Sequence, residues 1–249
     1  MLARDWYYNQ RRKIGLDSAV ASLYDGHDDS DLRARAALSA LGVKPGWRIA
    51  DIGCGNGVLA CEAALMGAEV DAIDISPAML ALAEICARDR KVAIRTQSAG
   101  LLSFAYQPNS YDLIVSEFTL HHLPDFWKSV ALSRIFAALK PGANFYLRDI
   151  VFVRTPDGSE RDVEEWAEFS ITNHDFNRDS VVTHMRDEYS TFGWVMERML
   201  TDVGFAMVSA DYHAPLHGAY LLRKPKPGEQ IFLRMILSEN RFPLFRIMR

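Results

Sequence analysis

Short apolar runs alternate with longer, helix-patterned segments between residues 32 and 150 of the chain. The first short run ends in glycines, and the segment 32–41 contains good helix formers at helical spacing. Strands that alternate with helices in this way are typical of a parallel sheet with helices on both faces. The predicted strands are 48–52, 69–74, 92–96, 111–116 and 144–150, and the predicted helices are 32–41, 58–66, one that begins at Ser76-Pro77, and 125–139.

This alternation stops after residue 150. A loop leads into a polar segment that predicts an inserted helical region, after which a helix and two closing strands complete a seven-stranded sheet. The predicted helix is 191–203, and the closing strands are 205–212 and 218–223. The predicted units are an N-terminal helical cap (1–45), a core (46–223) with its insertion at about 154–190, and a C-terminal tail (224–249).

Composition excludes several classes of protein. Hydrophobic residues make up 49% and charged residues 24% of the 249 positions, which fits a soluble globular protein rather than a disordered one. The net charge of −4 disfavours a nucleic-acid partner. No apolar stretch is long enough to span a membrane, and the first residues lack a signal-peptide core. Three cysteines without paired or zinc-site spacing favour a reducing cytoplasm and predict no metal site.

The tail differs in character from the rest of the chain. It holds six basic and two acidic residues together with many large apolar ones. So many apolar side chains are not expected to remain exposed to water. The tail is expected to pack against the protein's own core, against a partner subunit or against an anionic membrane surface. The semi-rigid Pro225–Pro227 linker favours the partner subunit, and we therefore expect a homodimer.

A glycine-rich loop, DIGCGNG at 51–57, connects the first predicted strand to the next helix. Glycines there permit positive φ and a close approach of the backbone to a ligand. The spacing is G-x-G-x-G, which differs from the dinucleotide pattern G-x-G-x-x-G. Asp51 precedes the glycines, and Asp74 ends the second strand 74 − 51 = 23 positions later. These carboxylates fit a ligand that has a ribose and a positive group but no pyrophosphate.

Four ordered segments resemble the class I S-adenosylmethionine-dependent methyltransferases. The resemblance implies a Rossmann-like α/β fold with a seven-stranded, mostly parallel sheet, S-adenosylmethionine as cofactor, and a lid formed by the helical insertion. The segments are DIGCGNG at 51–57, DAIDISPAML at 71–80, YDLIVSEFTLHHLPD at 111–125 and LKPGANFYLRDI at 139–150.

The resemblance also implies roles for individual residues. Gly53 and Gly55 would pass under the methionine moiety with Asp51 near it, and Asp74 would hold the ribose. The other residues implied to bind the cofactor are Tyr24, which would close over it, Ile75 and Met79, which would flank the adenine, Ser98, which stands where the family often has aspartate, and Ser116.

The predicted reaction is methyl transfer to a small molecule. A hydroxyl or protonated amine acceptor needs a general base, for which Glu117, His121 and Tyr189 are the candidates, whereas a thiolate or activated carbon needs none. The alternatives are a cofactor-binding protein with a non-methylating or regulatory role and, less favoured, an RNA or protein methyltransferase. A metal pair at His121-His122 is disfavoured, because adjacent residues on a helix point in different directions.

Overall fold

A twisted, mostly parallel sheet forms the centre of the computed structural model, which describes residues 30–153, 156–173, 177–213 and 216–229. The sheet order is β3-β2-β1-β4-β5-β8-β7, with β6 paired to β5. Only β8 runs antiparallel to its neighbours, β5 and β7. The strands are β1 Arg48–Ile52, β2 Glu69–Asp74, β3 Arg95–Ser98, β4 Tyr111–Glu117, β5 Leu139–Phe152, β6 Thr191–Phe192, β7 Ala206–His213 and β8 His217–Arg223.

Helices cover both faces of this sheet, as the sequence pattern predicts. Within the described residues, none of them combines the length and apolarity needed to traverse a lipid bilayer. The helices are α1 Ser30–Ala40, α2 Val58–Leu65, α3 Pro77–Asp89, α4 Asp125–Ala138, α5 Ser159–Asn173, α6 Arg178–Asp187 and α7 Gly193–Val203, with short 3₁₀ helices at Leu120–His122 and Pro156–Gly158.

Side chains that alternate along the strands separate the core into two layers. On β4, Leu113 and Val115 face the layer covered by α1, α2 and α3, whereas Ile114 faces the layer covered by α4 and α7. Because both of its faces are buried, β4 carries the consecutive apolar residues Leu113, Ile114 and Val115, as expected for a parallel sheet. The crossover order places β1 beside β4, so the strand order reverses between their carboxyl ends.

The insertion forms a third, smaller apolar cluster at the end of β5. Trp166 of α5 and Val181 of α6 pack with Ile150 and Leu216. The predicted inserted helical segment is therefore present as α5 and α6, and in this conformation both helices are docked on the core.

Three predicted boundaries were wrong. The third strand was expected at 92–96 but occupies Arg95–Ser98, where Arg95 pairs with Asp71 of β2 at 2.7 Å. The fifth strand was expected at 144–150 but begins at Leu139, and Gly142 N donates to Lys224 O at 2.7 Å beside the end of β8.

The helix predicted from residue 191 begins at Gly193, since Thr191–Phe192 pairs with β5 instead. Glycine is required there, because a Cβ at Gly193 would lie 2.5 Å from the Tyr212 ring. Three further predictions concern residues that the structure does not describe. These residues are Tyr24, most of the 1–45 cap and the tail beyond residue 229.

Candidate functional site

The loop between β1 and α2 contains three glycines with positive φ. These angles are 78° at Gly53, 53° at Gly55 and 79° at Gly57. A Cβ at Gly53 would lie 2.0 Å from Thr119 Oγ1, and one at Gly57 would lie 2.6 Å from Ala83 Cβ. A Cβ at Gly55 would meet no described atom within 4 Å. Packing therefore demands the outer glycines, whereas no described atom fills the space beside the middle one at the strand ends.

Three carboxylates converge beside this loop. Asp51, Asp74 and Glu117 stand at the carboxyl ends of β1, β2 and β4, which are neighbours in the sheet. Asp51 is buried, and its Oδ2 has no hydrogen-bond partner among the described residues. Burial, with repulsion from Glu117 and Asp74, raises the pKa of Asp51 to about 8. A buried acceptor without a donor is costly, so this oxygen suits a ligand that brings a positive group or a donor.

Asp74 is oriented by two backbone amides. Its Oδ2 accepts from Gly55 N at 3.0 Å and its Oδ1 from Ser76 N at 2.9 Å. Helix α3 begins at Ser76-Pro77 as predicted, and Ser76 caps it, because its Oγ accepts from Met79 N at 3.3 Å. The two amides fix the orientation of the Asp74 carboxylate at the end of β2, next to the glycine loop.

The three residues predicted at the adenine differ in exposure. Ile75 is 36% exposed next to Asp74, whereas Met79 is buried within α3. Ser98 is exposed at the end of β3, where it pairs in register with Asp74. The structure thus gathers these residues around one strand end, with Ile75 and Ser98 presenting accessible surface.

Ser116 and Glu117 end β4 but have different surroundings. The Ser116 hydroxyl is fully buried and donates to Ile52 O at 2.8 Å, which joins β4 to β1. Glu117 is partly exposed and lies opposite Arg148 of β5. Burial raises the pKa of Glu117, while Arg148 and Arg33 oppose the shift. Glu117, rather than Ser116, therefore presents a reactive group at the strand ends.

His121 lies in the 3₁₀ helix that follows β4, with a carboxylate on each side of its ring. Its Nδ1 contacts Asp149 Oδ1, and its Nε2 lies 3.1 Å from Glu188 Oε2. His184 Nδ1 contacts the same oxygen of Glu188. Asp149 also accepts from His121 N at 3.0 Å, so the ring is held from the backbone as well.

This setting does not suit His121 as a general base. Burial alone would lower its pKa, but the neighbouring carboxylates of Asp149 and Glu188 raise it to about 9. The imidazole is then protonated near neutral pH, and neither ring nitrogen is free to receive a proton. The expectation of a base at this position is therefore not supported by the geometry.

Tyr189 meets the core through its backbone. Its N donates to His121 O at 2.7 Å, and its O accepts from the buried ammonium of Lys128. Lys128 also donates to Asp125 Oδ1 at 2.8 Å. The Tyr189 side chain is 42% exposed, so the residue anchors the insertion to the core while its ring lies at the surface.

Sequence reasoning missed the partners of His121. Asp149 on β5, together with His184 and Glu188 of the insertion, surrounds the ring, and His122 Nδ1 lies 3.6 Å from Glu188 Oε1. The only signal in the sequence is the dense group of polar residues at 184–189, and it does not reveal which residue they meet.

Known proteins share this core. Residues 49–142 match the family model described as a methyltransferase domain. A ubiquinone biosynthesis O-methyltransferase of Xanthomonas campestris pv. campestris (strain B100) is 37% identical over 126 residues, which are 49% of this chain and 48% of that protein. A protein of the same description from Xanthomonas euvesicatoria pv. vesicatoria is 37% identical over 114 residues, 45% of each chain. The chain thus spans about half the length of the curated relatives it matches.

Solved structures share the fold over about four fifths of this chain at low sequence identity. Phosphoethanolamine N-methyltransferase 2 of Haemonchus contortus, in complex with S-adenosyl-L-methionine, has a TM-score of 0.62 at 19% identity and covers 78% of this chain and 53% of that one. The [4+2]-cyclase SpnF has a TM-score of 0.60 at 16% identity and covers 79% and 81%. At these identities the likeness establishes the fold and leaves the reaction to the residues of the site.

Proposed function

We propose that this chain, whose core belongs to the class I S-adenosylmethionine-dependent methyltransferases, transfers a methyl group from that cofactor to a small-molecule acceptor. The observation that carries the proposal is the buried Asp51 carboxylate beside the open face of Gly55. Among the described residues this oxygen meets no donor and no atom fills the space beside Gly55, which suits a ligand with a positive group, and S-adenosylmethionine has two such groups.

The cofactor-binding residues act mainly by position. We propose that Asp51 and Gly55 hold the methionine end, that Asp74 holds the ribose, and that Ile75 and Ser98 border the adenine. The bound cofactor supplies an electrophilic methyl group, and the protein's contribution is to hold the acceptor in line with it. The remaining residues of the proposed set are Gly53, Met79 and Ser116, which support the loop and strand ends, and Tyr24, which lies outside the described residues.

For the acceptor we propose a hydroxyl group, which is supported by the O-methyltransferase description of the curated relatives. Glu117 is then the favoured base, because it lies with Asp51 and Asp74 at the strand ends and its pKa is raised. A carboxylate with a raised pKa takes a hydroxyl proton more readily than an ordinary one. Tyr189 remains a weaker candidate at the edge of the insertion.

Binding of S-adenosylhomocysteine tests the cofactor without requiring the acceptor. We expect a dissociation constant in the micromolar range, about −8 kcal/mol. Gly55→Ala places a methyl group in the proposed site and should weaken binding at least tenfold. Gly46→Ala is the matched control, because Gly46 also has positive φ and open space around its Cβ but lies in the turn before β1.

Calorimetry and thermal shift provide the measurements. Absence of both heat and stabilisation with S-adenosylhomocysteine would overturn the proposal, as would equal affinity of the two glycine variants. Mass spectrometry of small molecules released from the purified protein then tests methyl transfer. A trapped acceptor in its methylated form supports transfer, whereas bound cofactor that never yields its methyl group to any hydroxyl compound would indicate a non-methylating role.

Three further proposals concern the whole chain. We propose a cytoplasmic location, supported by the three free cysteines. We propose a homodimer through the 224–249 tail, supported by its basic and apolar composition. We also propose that the insertion, α5 and α6, is a lid over the acceptor site, supported by its attachment beside the 3₁₀ helix that follows β4.

A further inference from the structure

Three atoms of metal-ligand type converge where the insertion meets the core. They are His121 Nε2, His184 Nδ1 and Glu188 Oε2, and all lie within 4.8 Å of one another. His121 Nε2 is 3.1 Å from Glu188 Oε2, and His184 Nδ1 contacts the same oxygen. Nevertheless, this buried oxygen has no hydrogen bond of acceptable geometry within the described part of the chain. A cation shared by the oxygen and both nitrogens would satisfy all three atoms.

The surroundings of His121 fix the tautomer that such a cation needs. Asp149 Oδ1 contacts His121 Nδ1, and its other oxygen accepts from His121 N at 3.0 Å. Asp149 is itself held by Ile150 N at 2.8 Å. With the Nδ1 proton directed at this carboxylate, Nε2 faces Glu188, and a bound cation would take the place of the proton that Nε2 carries in the imidazolium. Carboxylate support behind a ligating histidine is a recurrent feature of protein metal sites.

We propose that His121, His184 and Glu188 bind one divalent transition-metal ion of the zinc type, with Asp149 as the positioning residue behind His121. Two imidazole nitrogens and one carboxylate oxygen favour zinc over magnesium or calcium, which prefer oxygen ligands. Tetrahedral zinc sites place neighbouring ligand atoms about 3.3 Å apart, close to the separation of His121 Nε2 and Glu188 Oε2. Three protein ligands leave one coordination position for water or a small molecule.

The proposed metal site joins two parts of the chain. His121 follows β4 in the core, whereas His184 lies on α6 and Glu188 directly after it. Thr119, whose Oγ1 would contact a Cβ at Gly53, immediately precedes the 3₁₀ helix that holds His121, so the site adjoins the glycine loop. The metal site does not depend on methyl transfer, because its ligands are not among the groups proposed to hold the cofactor.

Cobalt is the probe, since Co²⁺ occupies zinc sites and has visible absorption that depends on coordination. We expect the full-length protein, stripped with a chelator that is then removed, to bind one equivalent of Co²⁺ with a tetrahedral-type visible spectrum. Zn²⁺ should displace it. Glu188→Gln should weaken Co²⁺ binding at least tenfold. Asp187→Asn is the matched control, because Asp187 is adjacent but directed at Arg186, with hydrogen bonds of 2.9 and 2.8 Å.

Circular dichroism and the affinity for S-adenosylhomocysteine report whether each variant is folded. No saturable Co²⁺ binding by folded wild-type protein would overturn the proposal and leave the cluster as an ion-pair network alone. Equal Co²⁺ affinity of folded Glu188→Gln and Asp187→Asn would overturn it too. If Glu188→Gln does not fold, His184→Gln takes its place under the same criteria, and retained affinity there would reject the site. Cofactor binding is read separately, so failure of the metal site and failure of the proposed function are distinguishable.

Discussion

At the residue scale, Asp51 has a pKa that lies far above that of an ordinary carboxylate. It is 3% exposed, lies near Asp74, Glu117 and Cys54, and has one oxygen without a partner in the described structure. Its raised pKa means that the folded protein holds a proton there that the unfolded chain releases at lower pH. The contribution of Asp51 to the free energy of unfolding therefore decreases as pH rises from about 4 towards 8.

Cofactor binding should release this proton. A positive group beside Asp51 favours its ionised form, so we expect proton release near pH 7 and an affinity that increases from about pH 6 to pH 8. Calorimetry with S-adenosylhomocysteine in phosphate and in Tris should give different apparent enthalpies. Asp51→Asn should abolish that difference. Identical wild-type enthalpies in both buffers would contradict the linkage.

Asp74 provides a second prediction at the same scale. Asp74→Ala should weaken S-adenosylhomocysteine binding about a hundredfold or more, because two hydrogen bonds to a charged acceptor contribute about 1.5–3 kcal/mol each. Asp89→Ala, which changes an exposed carboxylate at the end of α3, should leave the affinity unchanged. Calorimetry compares the variants, and melting curves check the loop, since Asp74 also accepts from Gly55 N. Equal affinities would refute the ribose role.

At the scale of elements, the insertion formed by α5 and α6 is joined to the core by a small number of buried contacts. It meets the core through the small cluster around Trp166, through Glu188 beside His121, and through the backbone of Tyr189. Small clusters at the edge of a domain open more readily than the main core, because fewer buried contacts are lost.

Removal of Trp166 should therefore release the insertion without unfolding the sheet. Trp166 is 3% exposed, and truncation of a buried tryptophan to alanine costs about 3–5 kcal/mol. We expect faster amide exchange across 159–173 and 178–187 in Trp166→Ala, with β1 and β4 unchanged. Trp194→Ala is the control of the same residue type, since Trp194 is 61% exposed. Uniformly faster exchange throughout the protein would show that the insertion is part of one cooperative unit.

Saturating S-adenosylhomocysteine should have the opposite effect if the insertion is a lid. Exchange across α5 and α6 should slow, and limited proteolysis between residues 154 and 159 should become slower. Amide exchange in α1 serves as the internal reference, because ligand binding that stabilises the whole protein would slow exchange in α1 as well. Equal exchange of α5 and α6 with and without ligand would count against a lid.

At the scale of the whole molecule, the tail begins later than its composition suggests. Lys224 is joined to the core, because its Nζ donates to Asn109 Oδ1 at 2.8 Å and to Leu139 O at 2.7 Å. Lys226 lies against Gly142. A truncation that preserves these contacts should therefore end after Glu229.

The homodimer is tested by light scattering of full-length and truncated protein. The tail carries +6 − 2 = +4 and the remainder −4 − 4 = −8, so the two surfaces attract. We expect a dimer at micromolar concentration and a soluble monomer after truncation at Glu229. A monomeric full-length protein would refute the dimer, and aggregation of the truncated protein would indicate a tail docked on its own core.

The sequence alone determined the features that depend on local chemistry. Apolar periodicity predicts the strand–helix alternation, glycine spacing predicts the loop after β1, and Ser76-Pro77 predicts the start of α3. Asp51 and Asp74 could be singled out for the same reason, since each stands next to an identifiable strand end or glycine turn. Each of these signals lies within a few residues of the structure it specifies.

Only the tertiary structure decided the features that join distant parts of the chain. The start of β3 is set by Arg95 meeting Asp71, and Thr191–Phe192 is a strand because β5 lies beside it. The partners of His121 come from β5 and from the insertion, 28 and more positions away along the chain. Periodicity records which face of an element is buried but not which element covers it, so such partners become visible only once the chain is folded.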